Sequence, residues 1–421
     1  MARKFDVPDF YRSPIISVVK NFRRAEDSRK RDLAPSILDF GPVRFKIGRH
    51  FGFCFGVENA IEIAYKALTQ HPNQRIFLLS EIIHNSHVNE DLQRRGVRFI
   101  CETSGKQLIP FEELRPDDVV IVPAFGTTIE VEQALNKRGI LPYQYNTTCP
   151  FVEKVWKKSS QISKENYSVI IHGKWNHEET RATFSHSKEE SAVLVVRDLE
   201  EAEKLANVIR GNASNEFFYR HFENRISEGF NPETHLRKIG VVNQTTMLAT
   251  ETQAIATLLK KAIIDRYGED QADEHFADTR DTLCYATKEN QDATLSLIAD
   301  GADLAIIVGG YNSSNTSHLV ALCESSLPTY FISDAGEIHS PEKIRHLDNM
   351  NKQLVETQNW LPTSNPTDII LTAGASCPDA LLDEVLQKIV PWFPGSYSTE
   401  TVLHPYTLET VDLSVQGIWS Q

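Results

Sequence analysis

DLAIIVGGYNSSNTSHLVALCESSLPTYFIS (303–333) holds one complete unit of the fold. It opens on a continuous apolar run, passes through a donor-rich loop closed by Gly309 and Gly310, continues as a helix, and ends on a second β-rich run. Unbroken apolar runs of this length mark strands buried on both faces, as in parallel sheets, rather than the alternating pattern of a half-exposed strand. The same rhythm recurs outward in both directions. Strands are expected at 43–48, 75–80, 118–124, 167–173, 192–197, 238–244, 328–333 and 368–374. Amphipathic helices are expected at 57–70, where Ala60, Ile61, Ala64, Tyr65 and Leu68 share one stripe, at 128–139 and at 378–390. Alternating strands and helices predict an α/β protein with mainly parallel sheets.

The expected organisation is an N-terminal arm (1–43), three α/β domains (44–148, 149–283 and 284–395) and a C-terminal tail (396–421). A polar stretch at 209–237 interrupts the rhythm of the second domain and reads as an insertion. The 421 residues carry a net charge of −13, which argues against nucleic acid as a partner. No apolar run reaches the length of a membrane span. The segment from Arg3 to Arg31 is basic but also holds Asp6, Asp9, Glu26 and Asp27, which a transit peptide avoids. The expected location is the cytoplasm, with a plastid stroma as the alternative. Six cysteines in a chain of this length are buried thiols or ligands rather than a disulfide scaffold.

Three of these cysteines share a context. Cys54 (GFCFGVENAI), Cys149 (TTCPFVEKV) and Cys284 (TLCYATKENQ) each directly precede a predicted helix, roughly a domain apart. A helix N-terminus carries partial positive charge and free N–H groups, which favour a thiolate. Three thiolates would hold an iron–sulfur cluster with one position left open, or a zinc ion. Each could equally be a buried core thiol. Cys101 and Cys323 read as core residues, and Cys377, also before a helix, competes as a ligand.

The polar candidates lie past strand ends. They are His84 in EIIHN, His177 and Glu179 in HEET, and Thr245 with Thr246 in QTT. The loops at 309–319 and 372–379 bring Ser313, Ser314, Asn315 and Ser376 to helix starts, a composition suited to an anion such as phosphate. No nucleotide-binding glycine fingerprint is present.

The strings GFCFGVENAI, EIIHN, TTCPFVEKV, HEET, QTT, CYATKENQ, YNSSN and TAGASCPD, in this order from about residue 43 to 390, resemble the LytB/IspH family. That resemblance implies three α/β domains around a pseudo-threefold axis and a central [4Fe-4S] cluster on Cys54, Cys149 and Cys284. It implies reduction of an allylic hydroxy diphosphate, the last step of the non-mevalonate isoprenoid route. The substrate hydroxyl would meet the open iron. The diphosphate would be held by His84, His177, Thr245, Ser313, Ser314, Asn315 and Ser376, and Glu179 would donate protons with Thr245. A ferredoxin or flavodoxin would deliver electrons to a monomer or homodimer. Many members carry His-Gly where this chain has Phe125-Gly126, so one pocket histidine is absent, and Thr127 or Thr128 is a candidate replacement donor. Rival readings are a non-redox cluster dehydratase like quinolinate synthase and a non-catalytic iron–sulfur sensor.

Overall fold

All nine expected strands form. They lie in three sheets that are parallel apart from one edge pair, and a small antiparallel sheet accompanies them. The structure, a computed structural model, describes residues 5–29, 31–277, 279 and 282–407; the rest of the expected tail, from 408, lies outside the described residues. The chain divides into two compact units, one of residues 1–5 and 55–288, the other of 6–54 and 289–421.

The first unit contains two sheets. One orders Arg98–Phe99, Ile76–Leu78 and Val119–Ile121, all parallel. The other orders Val193–Val196, Ser168–His172, Ile239–Asn243 and Phe276–Ala277, also parallel. Every residue of Val193–Val196, Ser168–His172 and Ile239–Asn243 is buried, as their unbroken apolar runs require. The polar stretch at 209–237 does break the strand–helix alternation, yet it is not a loose appendage. Its helix Asn215–Phe222 and the following turn bury Phe218, Phe222, Phe230 and Leu236 against helices Leu199–Arg210 and Ala249–Tyr267.

The second unit is built on a five-stranded sheet ordered Ser36–Asp39, Val43–Ile47, Thr367–Ala373, Leu304–Val308 and Thr329–Ile332. Only the first pair is antiparallel. The strand Val43–Ile47, next in sequence to the 76–121 layer, therefore pairs with Thr367–Ala373 instead. An antiparallel sheet, Ile338–Ser340, Lys343–Asp348 and Gln353–Gln358, is an addition the sequence did not announce, because its strands are polar and only partly buried.

The N-terminal arm folds. Ser13 caps the helix Pro14–Glu26 by accepting from the Ile16 N–H at 2.9 Å, with Pro14 in the first turn. Ile15, Ile16 and Val19 join the same core as Phe45, Ile306, Leu371 and Leu382. From the other end of the chain, Val402 of the helix Thr399–Leu403 enters this core, and the Tyr406 hydroxyl donates to the Ile37 carbonyl at 2.9 Å.

Candidate functional site

The cysteines at 54, 149 and 284 stand where the amphipathic pattern puts them: each directly precedes or caps a helix, Phe55–Gln70, Pro150–Lys164 and Tyr285–Asp300 respectively. None of the three is in a disulfide. In the first unit, Cys149 is fixed by its own N–H, which donates to the Ala124 carbonyl at 2.9 Å. Its sulfur is pressed against Gly56, where an added Cβ would lie 2.6 Å from Sγ. Cys284 is buried, and burial is the largest influence on its thiol, pushing its pKa up. The N–H groups of Thr287 and Ala286 and the Thr287 hydroxyl donate to its sulfur and act in the opposite direction, while the Glu179 carboxylate raises it further. Donors aimed at a sulfur from the first turn of a helix suit a metal-bound thiolate.

The other three cysteines fit less well. Cys377 is fully buried, its S–H lies 3.6 Å from the Pro378 carbonyl, and burial raises its pKa well above the usual thiol range. Cys323 is pushed up to about 12 by burial, and Cys101 is also raised by burial. Among the described residues, no three His, Cys, Asp or Glu side chains lie close enough to share one metal ion.

Glu179 lies one residue into the helix Glu178–Lys188 and is only 1% exposed. Its carboxylate accepts from the Thr245 N–H and, at 2.9 Å, from the Thr245 hydroxyl. Burial pushes its pKa up to about 7, against the pull of those two hydrogen bonds. Gln244 locks this pair in place. Its Oε1 accepts from the Lys174 N–H at 3.1 Å and the Thr180 hydroxyl at 3.0 Å, and its Nε2 donates to Thr246 at 2.6 Å. Gln244 was not singled out from sequence. The neighbouring glycine was its one signal: a Cβ at Gly173 would come within 2.7 Å of the Thr180 hydroxyl and 3.0 Å of Gln244 Cβ.

His84 and His177 meet in the same unit, although a histidine past a strand end is usually solvated. Both are buried. The His84 Nε2 pairs with Glu178 at 2.9 Å. His177 caps its helix, its Nδ1 accepting from the Glu179 N–H at 3.2 Å, so a neutral ring carries its proton on Nε2. Phe125 stacks on His84 at 4.2 Å and meets His177 edge-on at 5.5 Å, and the two imidazoles are 5.0 Å apart. Where a third histidine is missing, Phe125 thus supplies an apolar surface that orients the remaining two. Thr128 is committed to capping the helix Ile129–Asn136, and the Thr127 carbonyl accepts from His186.

In the second unit, Ser313 caps the helix Ser314–Glu324, its oxygen accepting from the Thr316 N–H at 3.3 Å. Ser313, Ser314, Asn315 and Ser376 are all buried. Asn315 Oδ1 accepts from the Ala375 N–H at 2.8 Å, and its buried Nδ2 has no acceptor among the described residues. The Ala375 carbonyl accepts from the Cys54 N–H at 3.1 Å. The backbone of one residue, Ala375, therefore ties the 311–315 loop to Cys54. The loops approach closely because Gly309 and Gly374 both face Thr316, where a Cβ would lie 2.6 Å and 2.0 Å from its hydroxyl. A buried amide N–H₂ beside serine hydroxyls at a helix start is an anion-binding arrangement.

A cavity of about 820 Å³ lies elsewhere in the first unit, between helices Pro150–Lys164 and Ala249–Tyr267. It is lined by residues such as Ile162, Tyr167, Val241 and Thr252 and holds none of the candidate residues.

Residues 46–390 match the LytB protein family. A 4-hydroxy-3-methylbut-2-enyl diphosphate reductase of Thermosynechococcus vestitus is 42% identical over 350 residues, 83% of this chain and 85% of that protein. The enzyme of the same name from Gloeobacter violaceus is 39% identical over 352 residues, 83% of each chain. A solved structure of (E)-4-hydroxy-3-methyl-but-2-enyl diphosphate reductase, described as the terminal enzyme of the non-mevalonate pathway, aligns with a TM-score of 0.50 at 25% identity, covering 82% of this chain and 97% of that one. The Plasmodium falciparum reductase structure shares the fold, with a TM-score of 0.58 at 22% identity over 83% of this chain and 88% of that one.

Proposed function

The chain belongs to the LytB protein family, and from that premise we infer that it converts 4-hydroxy-3-methylbut-2-enyl diphosphate to isopentenyl and dimethylallyl diphosphates by reductive dehydroxylation, closing the non-mevalonate route. The reaction takes up two electrons and two protons and releases water. Cys54, Cys149 and Cys284 are the residues proposed to hold a [4Fe-4S] cluster. Bound there, it would supply electrons one at a time together with a Lewis-acidic iron.

This chain's own residues supply the proton and the anchorage. Hydroxide is a poor leaving group, so a proton must reach the oxygen as the C–O bond breaks. Glu179 is the assigned donor, and the observation that carries the reading is its environment. It is a buried carboxyl with a pKa of about 7, held by Thr245 and near enough to raise the Cys284 thiol. A carboxyl in that condition is partly protonated at neutral pH and can be reloaded through the Thr245 hydroxyl. His84 and His177, oriented by Phe125, and Ser313, Ser314, Asn315 and Ser376 are assigned to the diphosphate. The donors among them give up their buried hydrogen bonds to its oxygens.

The electron donor is proposed to be a ferredoxin or flavodoxin, since each passes single electrons. The proposed location is a reducing compartment, the cytoplasm or else a plastid stroma, a reading supported by six cysteines in a chain too long for a disulfide scaffold. No helix among the described residues is long and apolar enough to cross a membrane. The test is turnover of the diphosphate by anaerobic protein with dithionite and a viologen. Conversion without reductant would favour a dehydratase, and an intact cluster with no conversion would favour a sensor.

A further inference from the structure

The N-terminal helix Pro14–Glu26 lies outside the stretch that matches the family, which begins at residue 46. Its contacts nevertheless converge on the segment 49–54 that ends in Cys54. At the C-terminal end of the helix, the buried Arg49 guanidinium donates to the carbonyls of Arg23 and Asp27 at 3.2 and 3.0 Å, satisfying oxygens the helix leaves unpaired. At its middle, Lys20 Nζ donates to the Phe51 carbonyl at 3.1 Å and lies 4.2 Å from the centre of the Phe51 ring. The same ammonium bridges to both oxygens of Asp379, at 2.7 and 2.8 Å, in the first turn of the helix Asp379–Ile389.

Gly52 completes the joint. It has φ +72°, and a Cβ there would lie 2.3 Å from Asp379 Oδ1 and 3.1 Å from Lys20 Nζ, so a larger residue would be strained and would push this ion pair aside. Two residues on, the Cys54 N–H reaches the Ala375 carbonyl, four residues before the helix starts at Asp379. The loop is thus held at residues 49, 51, 52 and 54, and Lys20 is the group that touches both of its walls.

We propose that the N-terminal helix is a positioning element for the Cys54 sulfur, with Lys20 as its positioning residue, clamping the 49–54 loop to the start of the helix that follows Ser376. The proposal rests on Cys54 being a cluster ligand. A flexible loop would let one thiolate dissociate and expose its iron to chelator or oxygen. The clamp restricts that motion and couples it to the Ser376 loop. It also gives a role to an arm that lies outside the residues matched by the family.

The test uses the full-length protein, purified without air. Lys20→Met and Asp379→Asn each break the ion pair from one side. Both are expected to fold, to lose visible cluster absorbance several-fold faster than wild type under chelator or air, and to broaden or shift the electron paramagnetic resonance signal of the reduced cluster. Lys20→Arg, which keeps charge and reach, should restore the wild-type lifetime and spectrum. The double variant should be no worse than either single one, because both remove the same interaction. A thermal melt separates the clamp from ordinary stabilisation. Wild-type cluster lifetime and spectrum in Lys20→Met and Asp379→Asn overturn the proposal, whatever the melting temperature does. Cys54→Ser is the control on the premise: if it keeps full iron and an unchanged spectrum, the ligand assignment itself has failed and the clamp falls with it.

Discussion

Glu179 is a carboxyl whose usefulness and cost have the same origin. Burial raises its pKa from 4.5 to about 7. The neutral form is therefore favoured in the folded chain, and ionising it there is expensive. The contribution to folding is untouched below about pH 4.5, where the group is neutral folded and unfolded. It turns unfavourable as pH rises toward 7, reaching roughly 3 kcal/mol by the linkage relation. Glu179→Gln should therefore melt higher than wild type at pH 8 and equally at pH 4, while turnover falls by about 10²–10⁴ with the cluster spectrum intact. In wild type, kcat should decline as pH rises through about 7, because the proton donor is lost, and the Gln variant should lack that limb. The place of Cys54, Cys149 and Cys284 at helix starts was readable because a helical stretch follows each of them. The burial of His84 was not, since it depends on Phe125 and Glu178, which approach only through the fold. Aromatic contacts of this kind are worth about 0.5–1.5 kcal/mol each. Phe125→Leu should accordingly raise KM for the diphosphate more than it lowers kcat, as steady-state kinetics would show.

At the scale of elements, continuous apolar runs identified nine parallel strands, because a strand covered on both faces has no polar side to hide it, and missed only the two-residue parallel strands Arg98–Phe99 and Phe276–Ala277 among the described residues. Pairing was less accessible. Val43–Ile47 carries nothing that names Thr367–Ala373 as its neighbour over Ile76–Leu78. The sheet 338–358 alternates weakly and is only partly buried, so its sequence looks like loop. The glycines carry information that a strand–helix reading passes over. Gly173→Ala would drive a methyl into Thr180 and Gln244. It is expected to cost about 1–3 kcal/mol in stability, as overpacked sites do, and to lower kcat by displacing Thr245 from Glu179. Chemical denaturation and assay at pH 7 would check both. A variant with lost stability but normal kcat would separate Gln244 from the function of the pair.

At the scale of the whole molecule, the six cysteines sort by environment. Serine at 54, 149 or 284 should strip or convert the cluster and abolish turnover, while serine at 101, 323 or 377 should leave iron content near wild type, measured on anaerobic protein. The arm and the described part of the tail, which looked like appendages, reach the second unit's core through Ile16, Val19 and Val402. Their sequence hid this because a short helix packing on one face contributes only a few apolar positions. The central claim is that these cysteines carry a cluster at which the allylic diphosphate is reduced. Iron and sulfide analysis of anaerobically purified protein, followed on the same sample by the dithionite–viologen assay, tests it most directly. The account predicts about four iron and four sulfide per chain and reductant-dependent formation of isopentenyl and dimethylallyl diphosphates. Iron-free protein, or an intact cluster that leaves the diphosphate unchanged, would contradict it.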